Sequence, residues 1–206
     1  MLIAAGAPQP LARDVWLLAG YVRTVDLLPL IEALAAQSPF RHMEVASGAR
    51  MSVALTNCGA LGWVSDRKGY RYAPLDPLTG KAWPPLPAAF IALARAAAAA
   101  TGWPDFAPDA CLVNRYVEGA AVGLHQDRNE RDFLQPIVSV SIGASCRFML
   151  GGLTRSAPVK SLALHDGDVM VWGGSARLVY HGVRPIRADA LHPQPLRFNL
   201  TFRKAG

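Results

Sequence analysis

The sequence predicts an α+β protein with helices confined to its first half and strands filling its second. Three observations carry this. Apolar residues recur at helical spacing in two early segments, Leu27, Leu30, Ile31 and Leu34 in one and the alanine-rich run 86–100 in the other. From Cys111 onward the chain breaks into eight short segments of strand character, at residues 112–117, 123–127, 136–143, 147–151, 159–164, 168–173, 178–183 and 196–203. Turn-like separators divide them, among them Gly143-Ala144-Ser145, His165-Asp166-Gly167 and Gly173-Gly174. Finally, 206 residues at 51% hydrophobic and 17% charged suit one domain with a real core. Many short, evenly spaced strands predict a sandwich or a jelly roll, whose mouth gathers residues far apart in sequence.

Residues 1–25 read as irregular, with a strand near 17–21. Asp26 is placed to cap a helix that runs to about Gln37, with Pro29 tolerated in its first turn and Ser38-Pro39 ending it. Residues 51–72 read as short strands: 52–56, a turn at Asn57-Cys58-Gly59, a strand at 61–65, a turn at Arg67-Lys68-Gly69, and a strand around Tyr70 and Tyr72. A proline-rich loop over 76–87 precedes the alanine-rich helix. That helix is apolar nearly all round, which predicts burial against a sheet, and Gly102 stops it.

Several classes are excluded by composition. No apolar run is long enough to cross a bilayer. Residues 1–20 have no basic leader before an apolar stretch, so no secretory signal is expected. Cys58, Cys111 and Cys146 are odd in number and unpaired in spacing, which predicts buried free thiols and a cytoplasmic setting. The net charge of +6 favours a polyanionic partner, although solubility alone would also account for it. Half of that charge lies between residues 50 and 81, where five basic residues meet two acidic ones. Trp63, Tyr70 and Tyr72 are interleaved there with Arg67, Lys68 and Arg71. The mixture suits base stacking with phosphate contact, or equally a hairpin with inward aromatics.

Two stretches carry chemistry. The first ends in His125-Gln126-Asp127. On a strand, residues i and i+2 share a face, so an imidazole and a carboxylate can address one centre. With His181 as the third group, this is the two-His, one-carboxylate set of non-haem Fe(II) oxygenases. The pair is short enough to arise by chance, and a hydrogen-bonded surface pair is the alternative. The second stretch is the last strand, where Leu196, Phe198, Leu200 and Phe202 fall on one face and Arg197, Asn199, Thr201 and Arg203 on the other. This is either an ordinary half-exposed strand or, with Asn114 and Tyr116 of an earlier strand, a polar pocket for a dicarboxylate. The two arginines stand roughly 20 Å apart along a straight strand, so side-chain reach and curvature would have to close that gap.

Taken together, the strings Met51-Ser-Val-Ala-Leu-Thr-Asn-Cys-Gly, Asp76-Pro-Leu-Thr, Asn114-Arg-Tyr, Leu124-His-Gln-Asp, Pro136-Ile-Val-Ser-Val-Ser, Gly167-Asp-Val-Met-Val-Trp-Gly-Gly, Tyr180-His-Gly and Arg197-x-Asn-Leu-Thr-Phe-Arg203 resemble the AlkB family of Fe(II)- and 2-oxoglutarate-dependent DNA repair dioxygenases, bacterial type. The resemblance covers 51–203. It implies a double-stranded β-helix (jelly-roll) core over 111–206 and an N-terminal extension over 1–110 with helices and a nucleotide-recognition lid at about 51–72. The whole would form one domain spanning 1–206. It implies Fe(II) held by His125, Asp127 and His181, and 2-oxoglutarate held by Arg197, Asn114 and Tyr116, with Asn199 and Arg203 near the carboxylate that chelates iron. Trp63, Tyr70, Asn129 and Arg155 would contact the lesion nucleotide, with Trp63 stacked on the damaged base against His125. The implied reaction uses O2 to demethylate 1-methyladenine- or 3-methylcytosine-type bases in single- or double-stranded DNA, or in RNA, and releases formaldehyde, succinate and CO2. A cytoplasmic monomer is expected.

Two positions depart from the resemblance. Asn129 stands where the bacterial type has an acidic residue near the base edge, which bears on lesion preference, and Leu55 replaces a methionine of the lid. Three other readings remain open at this level: the same oxygenase chemistry on a protein or small molecule, a nucleic-acid-binding jelly roll without turnover, and a zinc hydrolase. The aromatic, basic lid opposes the first, the intact ligand set and Arg197 oppose the second, and the third leaves Arg197 and Arg203 without a role.

Overall fold

A computed structural model describes residues 7–206. The irregular start expected for the chain lies outside the described residues as far as it concerns 1–6. The chain then forms a hairpin of β1 (Gln9–Ala12) and β2 (Val15–Leu18), turning at Asp14 with φ 59°. The strand expected at 17–21 therefore sits earlier, because Gly20 (φ 57°) already turns the backbone.

Helix α1 (Leu28–Gln37) carries Pro29 in its first turn, as expected, but Asp26 does not cap it. Thr24–Asp26 forms a single 3-10 turn instead, and the Asp26 carboxylate accepts two hydrogen bonds from Arg23 at 3.0 and 3.2 Å. The local ion pair holds the side chain away from the helix N–H groups. Next come β3 (Ala54–Gly59), β4 (Gly62–Asp66) and β5 (Gly69–Ala73). Asn57 and Cys58 are strand residues, not a turn. The Asn57 amide bonds both the N–H and the carbonyl of Trp63 at 2.9 Å, so a residue with turn propensity serves here as a side-chain bridge between strands. Helix α2 (Ala88–Ala100) buries only Phe90, Leu93, Ala94, Ala97 and Ala98, one stripe at i, i+3, i+4, i+7 and i+8, while its alanine back is open.

The second half supplies β6 (Ala110–Tyr116), β7 (Val122–His125), β8 (Ile137–Gly143), β9 (Cys146–Leu150), β10 (Lys160–Leu164), β11 (Val169–Trp172), β12 (His181–Val183) and β13 (Arg197–Arg203). Each expected segment has its strand, although β7 stops at His125 and β12 is only three residues long. A seven-stranded sheet in the order β1-β2-β11-β8-β13-β6-β3 faces a four-stranded sheet in the order β10-β9-β12-β7, with β4-β5 a separate hairpin. All named pairings are antiparallel, giving the two facing sheets of a jelly roll. β2 and β3 belong to the large sheet, so no break in pairing marks residue 110, and within 51–72 only β4 and β5 stand apart from that sheet.

Strand alternation sorts the large sheet into two faces. Val113, Val138, Val140, Val169, Leu200 and Phe202 point to α1 and α2, where Phe202 meets Phe90 edge-on at 5.9 Å between ring centroids. Truncating either ring to alanine would cost about 3–5 kcal/mol. The opposite face looks across to the small sheet. Leu112, Tyr116, Ile137 and Trp172 pack there against Phe148, Leu150 and Val183. The polar residues of β13 sit on this inner face and are buried, so the half-exposed alternative for that strand does not hold: Arg197 is 1% exposed. Covering the sheet's outer face with helices leaves the space between the sheets to polar chemistry.

Candidate active site

β7 and β12 pair with His125 directly opposite His181, which brings the two imidazoles to 4.4 Å between ring centroids. The approach depends on Gly182, where a Cβ would stand 2.6 Å from the Val122 carbonyl oxygen of β7. Asp127 lies beyond the end of β7, so the shared-face argument for His-x-Asp holds for the strand only as far as His125. The irregular segment after it is braced instead: Gln126 donates to the Leu178 carbonyl at 2.6 Å, and Arg177 Nη1 donates to the Asp127 carbonyl at 2.9 Å. Asp127 then stands with Oδ1 3.6 Å from His125 Nε2 and Oδ2 3.8 Å from His181 Nε2. One ligand atom from each of the three residues lies within 4.8 Å of the others.

The hydrogen bonding of this cluster suits a cation. Each histidine directs Nδ1 at a backbone carbonyl, His125 at Gly123 (3.0 Å) and His181 at Val179 (3.1 Å). A carbonyl only accepts, so Nδ1 carries the proton and both Nε2 lone pairs face the centre. Burial, reinforced by the neighbouring His125, lowers the pKa of His181 to about 4, keeping it neutral. Burial, the largest single influence, would raise the Asp127 carboxyl, but the Arg203 guanidinium together with His181 and His125 outweighs it and holds Asp127 ionised, below the ordinary carboxylate range. Two imidazoles that turn Nε2 inward and one charged carboxylate around an open position match an Fe(II) site.

Arg203 belongs to a buried network that sequence reasoning missed. Its Nε and Nη2 donate to Asp127 Oδ2 at 2.9 and 2.6 Å, and its Nε lies 3.3 Å from Glu130 Oε1. Glu130 also pairs with Arg177 (3.1 Å) and accepts from the Tyr72 hydroxyl at 2.7 Å. Two carboxylates and two guanidiniums thus balance in charge, as buried ions must. No periodicity announces Glu130 or Arg177, which lie in irregular segments.

At the other end of β13, Arg197 donates from Nη2 to Ser141 Oγ at 3.0 Å and rests over the Tyr116 ring at 5.9 Å. Its Nε and Nη1 have no hydrogen-bond partner among the described residues. A buried guanidinium with unused donors is costly unless an anion meets it, and a carboxylate fits it bidentately. Asn199 donates to Ser139 Oγ and the Val140 carbonyl, both at 2.9 Å, and accepts from Thr201 at 2.8 Å, so its amide is consumed within the wall. Ser139 and Ser141 were also missed, although the alternation in Ile137-Val-Ser-Val-Ser could have placed them on the inner face.

The hairpin β4-β5 stands at the mouth. Trp63 and Tyr70 stack at 5.4 Å and 16°, with Tyr70 half exposed. Arg155 lies over Tyr180 at 5.5 Å and donates to the Leu124 carbonyl at 3.0 Å. Tyr72 turns away, its burial raising its hydroxyl pKa well above the ordinary value. The residues that the resemblance assigns to metal, cosubstrate and lesion all line one cavity of about 590 Å³, Trp63, Tyr70, Asn114, Tyr116, His125, Asp127, Asn129, Arg155, His181, Arg197, Asn199 and Arg203, whereas Arg67, Lys68, Arg71 and Tyr72 of the basic aromatic stretch do not.

The profile of the 2OG-Fe(II) oxygenase superfamily matches residues 14–203. The alpha-ketoglutarate-dependent dioxygenase AlkB of Escherichia coli K12 is 54% identical over 183 residues, spanning 88% of this chain and 84% of its own. The chain belongs to the AlkB family. This AlkB-type dioxygenase therefore works with Fe(II), 2-oxoglutarate and O2. It is 42% identical over 214 residues to the AlkB homologue of Caulobacter vibrioides NA1000, covering 98% of this chain and 96% of that one. The human nucleic acid dioxygenase ALKBH1 is 38% identical over 99 residues, 48% of this chain and 25% of its own. A solved structure of OsALKBH1 superposes with a TM-score of 0.81 at 28% identity, covering 96% of this AlkB-type chain and 99% of that one.

Proposed function

We propose that the chain oxidatively demethylates N-alkylated bases of the 1-methyladenine and 3-methylcytosine type in DNA, with RNA as the alternative nucleic-acid substrate. The observation that carries the site reading is the pair of unused donors on buried Arg197, in the wall of the cavity that also holds His125, Asp127 and His181. In this reading the Nε2 atoms of His125 and His181 and the carboxylate of Asp127 hold Fe(II). Arg197 takes the distal carboxylate of 2-oxoglutarate, with Asn114 and Tyr116 beside it and Asn199 and Arg203 shaping the wall toward the metal.

Bound iron and 2-oxoglutarate supply the oxidising power that hydroxylates the N-methyl carbon at the expense of O2, with succinate and CO2 as coproducts. The hydroxymethyl group then leaves as formaldehyde. The protein's own part is placement. Arg203 keeps Asp127 ionised and oriented, the Nδ1 bonds keep both imidazoles facing inward, and the apolar walls around Trp172 and Phe148 limit water. A base must leave its stack to bring a methyl carbon into this cavity, which single strands and poorly paired methylated bases permit most readily. The platform of Trp63 and Tyr70 receives such a base, and a cationic methylated ring gains further from the indole face. Asn129 and Arg155 line the rim beside it. The printed names of relatives support a nucleic-acid substrate, among them the human nucleic acid dioxygenase ALKBH1 and the DNA N(6)-methyladenine demethylase ALKBH1C of Arabidopsis thaliana.

We further place the lid at the β4-β5 hairpin and the jelly-roll core at 111–206, within one domain. One chain carries all the site residues, so the site needs no second copy to complete it, and we expect a monomer. Three buried free thiols support a reducing, cytoplasmic setting. Among the described residues no helix is long and apolar enough to cross a membrane.

The test is anaerobic loading with Fe(II), followed by 2-oxoglutarate, O2 and a short strand bearing 1-methyladenine or 3-methylcytosine. Mass spectrometry should show loss of one methyl group, dependent on 2-oxoglutarate and absent in Asp127→Ala. An unchanged strand with continuing 2-oxoglutarate turnover would overturn the substrate.

A further inference from the structure

A second cavity, of about 440 Å³, opens beside the first and shares Tyr70 and Asn129 with it. Arg71, Arg131, Tyr72 and Pro74 help to line it, and no carboxylate does. Its two arginines differ in what they have left to give. Arg71 is matched by Asp66, to which it donates at 2.9 and 2.7 Å. The exposed Arg131 side chain makes no hydrogen bond or ion pair among the described residues. Its backbone is nevertheless held, since the Arg131 N–H donates to the Ala205 carbonyl at 3.2 Å. The Tyr72 hydroxyl is fixed to Glu130, so the wall behind the cleft is anchored to the metal-side network.

A strand that places one nucleotide in the first cavity must continue across its rim. Tyr70 and Asn129 form a rim that opens directly onto a pocket with one unmatched positive charge. We propose that the second cavity receives the nucleotide adjoining the lesion, with its phosphate at Arg131 and its ring against Tyr70 and Pro74. This rests on the nucleic-acid reading of the first cavity. The enzyme would then read polarity: a strand extended toward this cleft binds better than one extended only the other way.

Two pentanucleotides, with 1-methyladenine at the 5′ end or at the 3′ end, separate the possibilities. For each, kcat/KM is measured against salt with the wild type, Arg131→Ala and Arg131→Lys. The wild type should favour one strand. In Arg131→Ala the ratio of the two kcat/KM values should fall about three- to tenfold, through KM, and Arg131→Lys should restore most of it. The salt slope on the favoured strand should shrink by about 0.7, the value of one single-strand phosphate contact. An identical ratio in the wild type and Arg131→Ala overturns this proposal alone. A wild type inactive on both strands overturns the demethylase reading and takes this proposal with it.

Discussion

Arg203 holds Asp127 by one oxygen only. Nε and Nη2 both donate to Oδ2, at 2.9 and 2.6 Å, and Oδ1 is left facing His125 Nε2 at 3.6 Å. The carboxylate is thereby oriented as well as charged, with its unengaged Oδ1 turned to His125 and its engaged Oδ2 standing 3.8 Å from His181 Nε2. Arg203→Met should weaken Fe(II) affinity about 10- to 100-fold, the usual cost of losing a group that orients a metal ligand. Anaerobic Fe(II) titration followed by ultraviolet and visible absorption would read this directly, and unchanged affinity would refute it.

Arg197 makes the opposite prediction for folding and for function. Its two unused buried donors are a cost to the protein without cosubstrate. Arg197→Met should leave the melting temperature of the cosubstrate-free protein equal or higher, because an apolar chain of similar length replaces an unmatched buried charge. Its KM for 2-oxoglutarate should rise about 10- to 100-fold, the worth of a charge-assisted pair. The wild type should gain thermal stability on adding 2-oxoglutarate and the variant should not, as calorimetry can show.

Tyr72 links the hairpin to the metal side through Glu130. Tyr72→Phe leaves a buried carboxylate oxygen short of one donor, so a loss of about 1–2 kcal/mol is expected in urea unfolding. Hydrogen exchange should localise the loosening to β4 and β5. Uniform protection in the variant would show that the bond holds nothing.

The hairpin tip should respond to acid. Hydrogen bonds from Arg71, then the Lys68 N–H, lower Asp66 to a pKa of about 2. A depressed carboxyl contributes above its unfolded value of 3.8 and loses that contribution as pH falls through the folded value. Between about pH 4 and pH 2 the hairpin of metal-free protein should therefore loosen, and Asp66→Asn should behave at pH 6 as the wild type does near pH 2. Hydrogen exchange across β4 and β5 provides the measurement, and matching profiles for both proteins at pH 6 would contradict it.

The sequence displayed the two faces of β13 plainly, because alternation survives any packing. It did not show that the polar face looks inward. That follows from α1 and α2 covering the outer face, a tertiary fact which made Arg197 a buried donor instead of a surface charge. His125 and His181 were legible as ligand types, and their register across β7 and β12 was not, since three-residue β12 has too little sequence to announce its pairing. Asn57 misled because its turn propensity is local, whereas its two bonds to Trp63 are not. Glu130 and Arg177 were invisible for the complementary reason: they lie outside regular elements, and only folding brings their charges together.

β13 is hydrogen-bonded on both sides, to β6 and β8, along almost its whole length. Its two arginines therefore stand at a separation that neither thermal motion nor ligand binding easily alters. One end is committed to the Asp127 carboxylate and the other keeps two donors unused, so a single strand sets the spacing of the two guanidiniums. In the proposed reading the strand would thereby act as a ruler for the acid that reaches from the metal to Arg197.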